Sequence, residues 1–111
     1  MVLGLDISTT TVGYAFTKNK KIFSMGFIDI KKYKSAKDKA FFVLTELSHN
    51  KYIDEISQIN IEDNLSGFAN GRTSQQIIIK LAKFNAILGF LMEEEFSNIP
   101  IQNINPLTAR K

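Results

Sequence analysis

Cysteine is absent from these 111 residues, which excludes disulfides and cysteine-based zinc sites and permits a reducing compartment. The single histidine, His49, cannot by itself build a catalytic triad or a histidine-rich metal site; alone, it reads as a polar residue near a helix end. No basic leader precedes the N-terminal apolar run, and Asp6 interrupts that run, so no secretory signal is expected. The longest apolar stretch, 77–92, contains Lys80, Lys83 and Asn85 and falls short of the roughly 20 residues that span a bilayer. There is no Walker-type glycine-rich loop, no internal repeat, no low-complexity tract and no linker. The expectation is a soluble, cytoplasmic chain with no membrane contact, forming one small domain or part of one.

The apolar fraction of 44% is ordinary for a globular protein, and nine phenylalanines supply core bulk. Charge is unevenly spread. The net charge is +3, but residues 18–39 hold eight lysines against Asp29 and Asp38, a local +6 that leaves −3 on the rest. Such asymmetry fits a face that meets a polyanion, or else a solvated lysine surface.

Residues 2–7 read as a short apolar strand, 12–17 as a half-buried strand, 18–21 as a polar turn, and 22–30 as a third strand, together an antiparallel meander. Ser35-Ala36-Lys37-Asp38 is a capping box that opens a helix through about Ser48, with Phe41, Leu44 and Leu47 as its apolar face and Phe42 and Val43 alongside. Residues 57–62 form a fourth strand that ends in Glu62-Asp63, followed by a loop to Arg72. Thr73-Ser74-Gln75-Gln76 opens a second, long helix over 74–95, apolar over most of its circumference and therefore expected to be buried on several sides, in part by another subunit. Pro100 closes that segment, and 101–104 is a fifth strand.

The order β-β-β-α-β-α-β predicts a mixed five-stranded α/β sheet with helices packed on it. Right-handed crossovers place strand 4 parallel to a central strand 1. Asp6 and Glu62, each near the C-terminal end of its strand, then project from the same edge. A buried Asp6 would be costly unless neutralised, usually by a divalent metal or a metal-bound phosphate. Two carboxylates a few ångströms apart repel by roughly 4 kcal/mol at an effective dielectric of about 20, and a divalent cation reverses that sign. Mg²⁺, for which Mn²⁺ can substitute, takes such oxygen ligands together with water and substrate phosphate. A two-metal site wants three or four acids; Asp63 is a possible helper on the opposite face.

The run from Leu3-Gly4-Leu5-Asp6-Ile7-Ser8-Thr9-Thr10-Thr11 to Val12-Gly13-Tyr14-Ala15 resembles the first motif of RuvC-type Holliday-junction resolvases, of the ribonuclease H-like superfamily. Ile59-Asn60-Ile61-Glu62-Asp63 resembles their second acidic motif, 67–89 their loop and long dimerisation helix, and 105–111 their basic segment after the fifth strand. The resemblance implies a ribonuclease H-like fold and a metal-dependent, structure-selective endonuclease that resolves four-way junctions or other branched DNA as a homodimer through the 74–95 helix. By position, Asp6 and Glu62 would be catalytic metal ligands. Arg72, Arg110 and Lys111 would meet nucleic acid, and Leu65 or Phe68 would be an apolar wedge at the branch point. The chain departs from the family in two places. Ser8 stands where the family usually has glycine. The family's last acidic pair lies on a final helix, and this sequence ends at Lys111, where that helix would begin, so 1–111 is expected to be a C-terminally truncated ribonuclease H-like domain.

Two other readings use the same residues. One is a catalytically incomplete nucleic-acid-binding module of the same fold. The other is an ATP-binding fragment of the actin, hsp70 and sugar-kinase superfamily, which the Ser8–Thr11 hydroxyls suit and the short length opposes.

Overall fold

The computed structural model describes residues 1–62 and 75–104. Strands β1 (Val2–Ile7), β2 (Thr11–Lys18) and β3 (Lys21–Asp29) precede helix α1 (Ala36–Ser48); β4 (Gln58–Glu62), helix α2 (Gln75–Glu95) and β5 (Ile101–Ile104) follow. A short 3-10 turn over Ile53–Glu55, which the sequence pattern does not reveal, links α1 to β4. The sheet order is β3-β2-β1-β4-β5. β1 is antiparallel to β2 and parallel to β4, and β4 is parallel to β5. The mixed five-stranded α/β sheet with a central β1 is as the element order predicts.

Period-two alternation sorts each strand. Leu3, Leu5, Ile7, Val12, Phe16, Ile28, Ile59 and Ile61 are buried on one face in a single cluster with both helices. Among the described residues, no element covers the other face.

Ser35 caps α1, its Oγ accepting from the Asp38 amide at 3.0 Å, and His49 sits at the C-cap. The buried stripe of α1 is Ala40, Val43 and Leu47. This corrects the expected face of Phe41, Leu44 and Leu47: Phe41 is exposed, because an i, i+3, i+7 stripe passes through small Ala40 rather than the bulkier neighbour.

α2 also differs from expectation. It buries one stripe, Leu81, Phe84, Leu88 and Met92, while Ile79 and Phe90 stay 64% and 59% exposed. The described residues do not bury it on several sides. Its 21 residues are, by length and composition, enough to cross a membrane, contrary to the shorter stretch read from sequence.

The β2–β3 hairpin turns through Asn19 (φ 53°) and Lys20 (φ 66°), the two non-glycine residues with positive φ among those described. Two left-handed residues in succession make the primed turn that matches strand twist.

Candidate metal and nucleic-acid site

Asp6 and Glu62 lie directly opposite one another in the parallel β1–β4 ladder. Neighbouring strands run about 4.8 Å apart, and residues opposite in register share a face. That face is the open one, since Leu5, Ile7 and Ile61 point into the core. The two carboxylates thus project together from the C-terminal edge of the central strands.

The surroundings of the pair are shaped by small residues and by amides. Gly13 lies opposite Asp6 on the β2 side. A Cβ there would meet Asp6 Cβ at 3.8 Å and the Phe27 ring at 3.7 Å, so glycine keeps the flank of Asp6 open. Asp6, Glu62, Gly13, Phe27 and Ile104 line an open groove of about 460 Å³. Below Glu62, Gln58 Nε2 donates to Asn60 Oδ1 at 2.7 Å and to Gln102 Oε1 at 3.1 Å, fixing an amide ladder along the same face.

Burial does not oblige Asp6 to find a neutraliser, because Asp6 is exposed and Glu62 half-buried. In solvent the repulsion between two such carboxylates falls to roughly a quarter of its value at dielectric 20. What favours a cation is the pairing of two hard oxygen donors on one face. That donor set fits Mg²⁺ held through one or two carboxylates, with water and phosphate completing the shell. No group of three or more Asp, Glu, His or Cys side chains that could hold a metal occurs among the described residues.

The turn after β1 satisfies itself. Ser8 Oγ accepts from the amides of Thr10 (3.4 Å) and Thr11 (3.0 Å) and donates to the Thr11 carbonyl (2.9 Å). Ser8 thus ties the turn through its own hydroxyl. It needs no positive φ, so the departure from glycine costs the turn nothing.

Asp63, Leu65, Phe68, Arg72, Arg110 and Lys111 lie outside the described residues, as does the second capping box at Thr73-Ser74. The lysine run at 18–39 does not form one face. Lys18, Lys20 and Lys21 sit at the β2–β3 turn, whereas Ile7↔Val12 and Thr11↔Asp29 put the start of β2 and the end of β3 at the Asp6 end. A strand of eight residues separates the two groups, about 25 Å of extended chain. Sequence reasoning missed one gathering altogether: Lys34 and Lys39 meet Lys80 and Lys83 around a cavity at the Asp6 end. The pairs are some forty residues apart in sequence, and only the +6 segment hinted at the first.

No protein-family model matches the sequence, and no curated protein does. Among solved structures, the fold is similar to that of T. thermophilus RuvC in complex with a Holliday junction substrate, with a TM-score of 0.72 at 11% identity over 98% of this chain and 66% of that one. It is also similar to a second Thermus thermophilus RuvC structure, with a TM-score of 0.66 at 11% identity and the same coverage. The chain spans about two-thirds of the length of both. At such identity the likeness is one of fold: the mixed five-stranded α/β sheet is the ribonuclease H-like arrangement of these neighbours.

Proposed function

We propose that this chain is the nuclease-fold part of a metal-dependent, structure-selective endonuclease that hydrolyses phosphodiesters in four-way junctions or other branched DNA. The observation that carries this is the placement of Asp6 opposite Glu62 on the open face, in a fold whose neighbour is RuvC in complex with a Holliday junction substrate. In this reading Asp6 and Glu62 hold Mg²⁺, with Mn²⁺ able to replace it. When bound, the metal supplies Lewis-acid charge at the phosphate and lowers the pKa of water. The chain itself presents both carboxylates from rigid neighbouring strands, keeps Gly13 clear beside Asp6, and leaves the groove open for a backbone. The attacking oxygen comes from water, one phosphorus–oxygen bond forming as another breaks. Leu65, Phe68, Arg72, Arg110 and Lys111 are proposed to contact the DNA.

Two such sites in a homodimer would suit paired incisions, and the exposed Ile79 and Phe90 of α2 support that helix as the interface. The buried inner stripe of α2 supports reading it as the core helix of a soluble protein rather than a membrane span, and a cytoplasmic location is proposed with it.

A second reading, a binding module that does not cut, is favoured by one observation: no third acid joins Asp6 and Glu62 among the described residues. Labelled four-way junction and matched linear duplex, incubated with Mg²⁺ and either the wild type or Asp6→Asn, separate the two. The nuclease reading expects symmetric nicks in the junction alone, reduced more than about 100-fold in the variant, since even residues behind a ligand contribute 10–100-fold. A junction-specific shift without cleavage would instead establish the binding module.

A further inference from the structure

A cavity of about 490 Å³ opens on the helix side of the sheet, at the same end as Asp6. Lys34 reaches it from just before α1, Lys39 from the first turn of α1, Lys80 and Lys83 from α2, and Thr9 from the turn that follows β1. Among the described residues, no carboxylate lines it. Lys39 Nζ donates to the Thr9 carbonyl at 2.7 Å, which spends one of its three donors and fixes an ammonium against the turn. Four like charges gathered around one cavity, with no acid among the described residues that line it, are what an anion would reverse. Ser35, the N-cap of α1, lines the same wall, so the positive end of a 13-residue helix adds to the field. Ring and stem carbon from Phe84 and the lysines themselves leave charge, not shape, as the main selector.

We infer that this cavity seats a backbone phosphate of the nucleic acid, one that is not cut. The inference rests on the endonuclease reading and deepens it. The Ser8–Thr11 turn separates the cavity from the carboxylate pair, so a strand crossing the C-terminal edge of the sheet is clamped by lysines on one side of the turn and passes Asp6 and Glu62 on the other. The lysines fix the register of the strand; the acids act on a different phosphate.

The test is binding of a fluorescent four-way junction in EDTA, where no cleavage intervenes, over a range of KCl concentrations. Lys80→Gln/Lys83→Gln is expected to weaken affinity ten-fold or more and to make the slope of log K against log salt shallower by about 1, since each phosphate neutralised contributes about 0.9. Lys34→Gln is expected to act in the same direction. Lys20→Gln/Lys21→Gln, which removes equal charge at the far turn, is expected to leave affinity within two-fold. Circular dichroism verifies that each variant folds. If the wild type binds junction and Lys80→Gln/Lys83→Gln binds it equally well, or if both double variants weaken it alike, the phosphate seat is wrong while the endonuclease reading stands. If the wild type binds no DNA, both fall. If ATP or inorganic phosphate binds in a manner that depends on Lys80 and Lys83 while DNA does not, the cavity takes free phosphates, and the backbone assignment is overturned.

Discussion

At the scale of single residues, an exposed acid pair has consequences for stability as well as chemistry. Asp6→Asn removes a like-charge neighbour from Glu62 without disturbing the core, so its effect on the metal-free protein should stay within about 0.5 kcal/mol, a shift of at most about 4 °C in melting temperature. Mg²⁺ should separate the two proteins. With a dissociation constant of about 1 mM, 10 mM Mg²⁺ stabilises the wild type by about 1.4 kcal/mol, or roughly 6–11 °C in a melting scan, and should leave Asp6→Asn unmoved. An equal shift in both would place the ion elsewhere. Lys20 offers an independent check on the backbone. It holds a left-handed conformation (φ 66°) that costs a residue with a Cβ about 1–2 kcal/mol and glycine little. Allowing for the entropy that glycine loses on folding, Lys20→Gly should stabilise the chain by about 0.5–1 kcal/mol in urea unfolding.

At the scale of elements, α2 separates what a stripe buries from what it displays. Leu88 is fully buried and Phe90, two residues on, is 59% exposed. Leu88→Ala should cost about 2–5 kcal/mol in chemical denaturation, and Phe90→Ala no more than about 0.5 kcal/mol. The strands were legible in the sequence because period-two alternation is sensitive to which face is wet: Ile59 and Ile61 had to go in, so Asn60 and Glu62 had to come out. The capped start of α1 was legible for a similar reason, Ser35 being three residues before Asp38. The inward face of α1 was not, because side-chain size argued for Phe41 while geometry chose Ala40. Nor was the outer side of α2, since apolar residues announce that something covers them without saying what. The lysine cavity was hidden because its two halves come from segments some forty residues apart.

At the scale of the whole molecule, the two-layer arrangement leaves an outer stripe on α2 facing away from the core, with Ile79 and Phe90 at its centre. If it is the dimer interface, light scattering at micromolar concentration should give twice the chain mass for the wild type and the chain mass for Ile79→Lys/Phe90→Lys, with little change in melting temperature measured on the monomer. A wild type that stays monomeric would remove the interface and, with it, the geometric basis for paired incisions. Junction nicking by a monomer would then have to be unpaired, which the distribution of singly and doubly cut products on a gel would reveal.

The pairing of β1 with β4 also bears on how this site can change over generations. Substitution can erase it in one step, because neither carboxylate is part of the core. Displacement is closed to it. Deleting one residue from β4 would turn Ile59 and Ile61 out to solvent and drive Asn60 and Glu62 among Leu3, Leu5 and Phe16. Such a chain would lose its sheet rather than acquire a shifted site. The location of the two acids is inherited together with the apolar pattern, and only their identity is left open to selection.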